Sequence, residues 1–178
     1  MLIIFGGLPG SGKSTVAQAL ALRTGACYLR VDTIEQAISS SAPLANQRDV
    51  GPAGYVALYR VAEDNLRLGQ TVIADSVNPI EITRAAFRKV ATETGSGFIE
   101  VEIVCSDVMT HRQRAEARST AIEGRSNPTW LQIQELNFEP WCPDLRVDTF
   151  HMSIEESVSE ITKLLLSSAA YRHAPATS

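Results

Sequence analysis

One run in this chain has the residue types and spacing of a phosphate cradle. Gly7-Leu8-Pro9-Gly10-Ser11-Gly12-Lys13-Ser14-Thr15 fits G-x-x-x-x-G-K-[ST] without a gap. Glycines let the backbone curl until successive N–H groups converge on one anion, and a following helix adds its positive N-terminal end. Lys13 then offers a point charge to the outer phosphates, and the Ser14 hydroxyl offers a ligand to magnesium. The match predicts a site for a nucleoside triphosphate, with ATP and Mg2+ as the expected pair. A glycine-rich turn without a ligand is the plain alternative. The flanks argue against it: an apolar run, residues 2–5, precedes the glycines and an amphipathic stretch, residues 14–23, follows them.

Two aspartates follow short apolar runs, Asp32 after residues 26–31 and Asp75 after residues 71–74. In an open parallel α/β sheet, ligands bind beyond the carboxyl ends of the strands. Both carboxylates are therefore expected near the phosphates. There a carboxylate can orient a metal's water ligands or accept a proton from an attacking hydroxyl. The plain alternative is that either caps a helix, and Asp32 would be a natural N-cap for one starting at Thr33. Asp75 is expected to hold magnesium together with Ser14, through water. A third group lies on residues 107–121, where His111, Arg114 and Arg118 share one helical face, with Arg112 and Arg125 near. Arginines aimed at a triphosphate would neutralise charge on a transferring phosphoryl group. The bland alternative is a solvated face paired with Glu116 and Glu123.

The elements that must position these residues alternate short apolar strands with amphipathic helices, the pattern of an α/β domain with a mostly parallel sheet. Strands are expected at 2–5, 26–31, 71–74, 98–104 and 146–150. Helices are expected at 14–23, 33–39, 55–68 (stopped by Gly69), 79–93 (opened by Pro79), 107–121, 128–138 and 153–166. The last helix is capped by Ser153 with Glu156 three residues on. Residues 40–54, rich in Ser, Pro, Asn and Gly, form a long loop of a length that is usually functional or disordered. Glu100 and Glu102 point to the same face of the fourth strand, which is costly unless both are paired. The chain reads as a single domain over 1–170 with a flexible tail at 171–178.

Composition agrees with an ordinary globular protein of 178 residues: 44% hydrophobic and 20% charged. A net charge of -4 argues against a broad nucleic-acid surface, which runs on clustered positive charge. Lys13, Lys89 and Lys163 are the only lysines, so thirteen of the sixteen cations are arginines, whose planar fork suits phosphate oxygens. Cys27, Cys105 and Cys142 are far apart and odd in number, so neither a disulfide framework nor a zinc site is indicated. The apolar start is too short to span a membrane, and a cytoplasmic protein is expected.

With those residues in place, the chain resembles the small P-loop kinases of the zeta-toxin-like group, which includes chloramphenicol phosphotransferase, gluconate kinase and the kinase domain of phage polynucleotide kinase. The matching pieces are residues 6–15, Arg30-Val31-Asp32, Ala74-Asp75-Ser76, and the spacing of Arg114 and Arg118. The resemblance implies a three-layer αβα fold whose five-stranded parallel sheet has the order 2-3-1-4-5. It also implies Asp32 as catalytic base and a helical lid around 108–127 whose arginines close on the triphosphate. The expected function is ATP-dependent transfer of the γ-phosphoryl group to a hydroxyl of a small molecule. Its pocket is expected under residues 40–54, with Tyr55, Tyr59 and Arg60 as candidate contacts and the two tyrosines equally plausible as core. A polynucleotide 5′-kinase is the second reading, weakened because 40–60 offers only Arg48 and Arg60. An ATPase or nucleotide switch without an acceptor is the third.

Overall fold

The computed structural model describes residues 1–41, 50–117 and 128–172. Five strands form one parallel sheet in the order β2-β3-β1-β4-β5: β1 (Leu2–Gly6), β2 (Cys27–Arg30), β3 (Val72–Asp75), β4 (Phe98–Val104) and β5 (Leu145–Asp148). This is the expected fold and strand order. Side chains along β1 alternate between two cores, as the two-residue period of a strand dictates. Ile3 and Phe5 pack with α1 (Lys13–Thr24) and α7 (Ile154–Arg172), through Val16, Ala17, Leu20, Val158 and Ile161. Leu2 and Ile4 pack on the other face with α3 (Ala53–Arg67) and α4 (Glu81–Glu93), through Leu58, Ala62, Leu66, Phe87, Val90 and Ala91. Every residue of β1 is buried, which suits a central parallel strand covered on both sides. Each large aliphatic or aromatic side chain so covered contributes about 1.5–3 kcal/mol.

Glu100 and Glu102 resolve the charge problem by pairing. Arg88 of α4 reaches Glu100 Oε1 at 2.8 Å and the Trp141 indole donates to Oε2 at 3.3 Å, while Arg146 of β5 holds Glu102 at 2.6 Å. The expected helix over 128–138 is shorter, α6 (Trp130–Gln134), and the chain beyond it brings Trp141 to Glu100. Thr129 and Gln132 form a capping box that starts α6. Beyond it Arg84 draws the chain into an extended path. This guanidinium is fully buried, donates to the carbonyls of Asn78, Pro79, Glu139 and Pro140, and lies about 5 Å from the rings of Phe138 and Trp141.

Other boundaries shift for local reasons. The helix expected from Pro79 begins at Glu81, because Pro79 and Asn78 are held by Arg84 and Ile80 is the extended N-cap. The final helix starts under the predicted Ser153–Glu156 cap but continues to Arg172, so Tyr171 and Arg172 belong to α7 rather than to a tail. Gly69 follows α3 with a left-handed φ of 80°, as a helix stop requires. Among the described residues no helix is long and apolar enough to cross a membrane. All three cysteines are free thiols.

Candidate functional site

The cradle sits at the carboxyl edge of the sheet, between the end of β1 and the start of α1. The Gly7 N–H donates to the Val77 carbonyl at 3.1 Å, which stitches the loop to the exit of β3. Gly7 has a φ of 143°, and a Cβ there would stand 2.1 Å from the Ile103 carbonyl oxygen, so no other residue fits. Gly12, with a φ of 92°, is the N-cap of α1 and brings no side-chain cap. The first N–H groups of α1 thus meet no capping side chain and are disposed to receive an anion. Lys13 opens the helix and is buried, Ser14 is half-buried and Thr15 is exposed.

Register brings the carboxylates alongside. Phe5, Asp75 and Arg30 are Cα partners across β1, β3 and β2, so they stand in one row at the sheet edge. Asp75 is 1% exposed; its Oδ2 accepts from the Tyr28 hydroxyl at 2.6 Å and lies 3.9 Å from Arg30 Nε. Asp32 is not an N-cap. Helix α2 (Val31–Ser40) begins one residue earlier, because Val31 is buried against the α3–α4 core, and its N-cap is Arg30. Asp32 therefore lies inside the first turn, where the helix's positive end favours a carboxylate, and its Oδ2 takes a 2.6 Å bond from Arg30. Burial works against the charge on Arg30, but Asp32 and then Asp75 more than offset it and hold the guanidinium above its ordinary pKa.

Helix α5 (Val108–Glu116), capped by Asp107 through the Thr110 N–H, lies directly on the loop. His111 is buried with its Nε2 2.9 Å from the Pro9 carbonyl, and a Cβ on Gly10 would stand 2.8 Å from Ala115 Cβ. His111 is thus a packing residue. Arg114 reaches Thr149 Oγ1 at 2.8 Å, and Thr149 Oγ1 lies 2.7 Å from the Ser11 carbonyl. Arg112 makes an exposed ion pair with Glu116, the solvated-face arrangement. Arg118, Arg125 and Glu123 lie outside the described residues, as does the part of the expected lid beyond Ala117.

A third wall comes from α3. The Tyr55 hydroxyl accepts from the Asn78 N–H at 3.1 Å, and Tyr55 and Tyr59 pack against the α3–α4 core near Phe87. Arg60 points elsewhere, into an exposed pair with Glu63. Arg48 lies outside the described residues.

Buried polar atoms without a hydrogen-bond partner gather at this edge: Ser11 Oγ, Asp75 Oδ1 and both amide atoms of Asn78. Each such atom costs about 1–3 kcal/mol if left unpaired. Their gathering beside the cradle fits a place made for polar ligands, and Asp75 Oδ1 with Ser14 fits a hydrated magnesium ion. Sequence reasoning missed Tyr28, Asn78, Arg84, Trp141 and Thr149. Tyr28 had a legible signal, since it stands two residues from Arg30 and so on the same face of β2. Thr149 had another, as the residue that follows β5 at the carboxyl edge.

Several proteins similar to this chain are kinases. The adenylyl-sulfate kinase of Geotalea uraniireducens is 28% identical over 177 residues, covering 93% of this chain and 80% of that protein. The Mycobacterium tuberculosis APS kinase CysC, solved in complex with AMPPNP and APS, superposes with a TM-score of 0.65 at 25% identity, covering 93% of this chain and 96% of that one. A candidate kinase from Chloroflexus aurantiacus superposes with a TM-score of 0.72 at 21% identity, covering 91% and 96%. The model of the AAA domain family matches residues 2–138. With a cradle, a strand order and relatives that agree, the chain belongs to the AAA domain family and has the fold of its small P-loop kinases.

Proposed function

We propose that this protein is an ATP-dependent kinase that transfers the γ-phosphoryl group to a hydroxyl of a small molecule. One observation carries the reading: Asp32, in the first turn of α2, follows β2, the neighbour of the β3 strand that ends in Asp75 beside the cradle, with the Tyr55 wall of α3 alongside. A nucleotide site with a carboxylate and a second wall beside it suits two substrates. In the transfer, the acceptor oxygen bonds to the γ-phosphorus, the bond from that phosphorus to the ADP oxygen breaks, and the hydroxyl proton passes to Asp32. Transfer through a loose transition state needs positioning and charge neutralisation more than covalent chemistry from the protein.

The roles follow from placement. The cradle's remaining backbone N–H groups, at the start of α1 above all, would hold the phosphates, and Lys13 would add its charge at the outer ones. Ser14 would bind magnesium directly and Asp75 through water; the ion neutralises charge on the phosphate oxygens. Arg114, with Arg118, would approach the triphosphate as the lid closes. Arg30 orients Asp32. A polynucleotide acceptor gains no support from Arg60, which is paired with Glu63.

The test is a screen of hydroxyl-bearing metabolites and oligonucleotides for stimulated ADP release from Mg-ATP. Stimulation with a phosphorylated product is the expected result. No stimulation across a wide screen would leave an ATPase or switch.

A further inference from the structure

Asn78 combines a fixed backbone with an unsatisfied side chain. The side chain is fully buried, and neither its amide oxygen nor its amide nitrogen has a hydrogen-bond partner. The backbone is held on both sides: its N–H donates to the Tyr55 hydroxyl at 3.1 Å, and its carbonyl accepts from Arg84 Nε at 3.1 Å. With a φ of 54°, Asn78 is also the one non-glycine residue in the left-handed region among the described residues. Backbone strain and unmade hydrogen bonds both cost stability, and they persist where binding a ligand offsets them.

Alternation along β1 places this amide on the acceptor side of the cradle. Leu2 and Ile4 face the α3–α4 core, so Gly6 faces the same way, opposite to α1 and its phosphate-binding end. A Cβ on Gly6 would stand 3.4 Å from Asn78 Cβ and 2.4 Å from the Trp141 ring. Asn78 and Trp141 therefore lie together over the last residue before the cradle. Ser76 lies beside the Tyr55 phenol, and its buried hydroxyl likewise makes no hydrogen bond of good geometry. Tyr55 and Trp141 are only half-buried, so the amide lies just below the surface.

We infer that Asn78 binds the acceptor and selects polyols: its carboxamide takes two neighbouring hydroxyls, donating to one through Nδ2 and accepting from the other through Oδ1. The inference rests on the kinase reading above. A carboxamide presents donor and acceptor side by side in one plane, and vicinal hydroxyls present the complement. A lone hydroxyl satisfies one of these atoms and leaves the other unpaired in the bound state. Sites built on such pairing reject an analogue that lacks the hydroxyl far more strongly than an apolar pocket rejects by size.

The experiment is acceptor-stimulated ADP release by the full chain with Mg-ATP, using two sets of probes. Gluconate, glucose and myo-inositol are the polyols; choline, homoserine and cyclohexanol carry one hydroxyl each. Stimulation by a polyol, and not by the second set, is expected. Asn78→Gly should then raise the KM of that polyol about tenfold, with the KM for ATP nearly unchanged. Its denaturant midpoint should hold or rise, because glycine accepts the left-handed φ and the two unpaired atoms are gone. Equal or better use of the single-hydroxyl set would overturn the inference and leave the kinase reading standing. That comparison uses the wild-type chain and stands whether or not the variant folds. An unchanged polyol KM in Asn78→Gly would also overturn the inference, and a lowered midpoint beside it would assign the amide to an internal water. Silence from both sets and from the wider screen would remove the kinase reading, and this inference with it.

Discussion

The Tyr28 hydroxyl donates to Asp75 Oδ2 at 2.6 Å, while Oδ1 of the same buried carboxylate has no hydrogen-bond partner among the described residues. Burial, and then the charge and hydrogen bond of Asp75, push the Tyr28 pKa well above its ordinary value, so the phenol remains a donor across the working pH range. One oxygen of Asp75 is thereby fixed, and under the proposed function the other would face a hydrated magnesium ion. Asp75→Asn should raise the magnesium concentration needed for half-maximal activity while sparing metal-free nucleotide binding. Tyr28→Phe should move it in the same direction by less, since one hydrogen bond contributes about 0.5–1.5 kcal/mol. A magnesium titration of both variants checks this, and an unchanged midpoint in Asp75→Asn would make the residue purely structural.

Lys13 is buried at the first position of α1, where its charge would reinforce the helix N-terminus toward a bound phosphate. Lys13→Ala should fold normally but lose about 1.5–3 kcal/mol in each state where the ammonium touches phosphate. Calorimetric titration with Mg-ATP, together with turnover, provides the measurement. Wild-type affinity and rate in this variant would refute the cradle assignment.

Arg84 predicts stability rather than chemistry. Replacing it with Met removes the donor from four carbonyls and leaves Phe138 and Trp141 without their cation. The loss should be on the order of 3–5 kcal/mol, because the variant strands several polar groups in the interior. Arg84→Lys should recover little of it, since an ammonium cannot span the same acceptors. Denaturant unfolding would show the effect as a lower midpoint, and a shift below about 1 kcal/mol would mean that solvent replaces the guanidinium readily.

What was legible in the sequence followed from local rules. The ungapped cradle needs only eight consecutive residue types, and the strand periodicity exposed the sheet. Even Ser153 with Glu156 formed the cap that their spacing foretold. Long-range pairing was the part that stayed hidden. Nothing near residue 139 signals that Arg84, more than fifty positions earlier, will take the Glu139 and Pro140 carbonyls beyond the end of α6. The start of α2 was misplaced by two residues for a related reason: Val31 is buried and the helix begins there rather than at Thr33, which a capping rule cannot register.

Arg114 lies against Thr149 rather than pointing freely outward, and Thr149 also touches the Ser11 carbonyl of the cradle. If the arginine shifts to the triphosphate when nucleotide binds, exchange should slow along residues 108–117 once AMPPNP and magnesium are added. Thr149→Val should release Arg114 and speed exchange in the nucleotide-free protein. Hydrogen-exchange mass spectrometry reads both effects. Equal exchange with and without nucleotide would return Arg114 to a structural link between α5 and β5.

Asp32 separates a kinase from a bare ATPase. Its carboxylate is 49% exposed and takes a 2.6 Å bond from Arg30, which orients it at the carboxyl edge of the sheet. A base in a loose transition state mainly orients the hydroxyl and accepts its proton late. Asp32→Asn keeps the size of the side chain and can still accept from Arg30, so any loss reflects the missing base. Phosphoryl transfer should fall roughly 10²–10⁴-fold with ATP affinity nearly unchanged. The measurement is a pair: nucleotide affinity by calorimetry, and transfer to the acceptor found by the screen. A hydrolase that lacks an acceptor would respond differently, because water reaches the γ-phosphate without a base on the α2 side. Full transfer activity in Asp32→Asn would rule out the base role and leave Asp32 as the partner that holds Arg30.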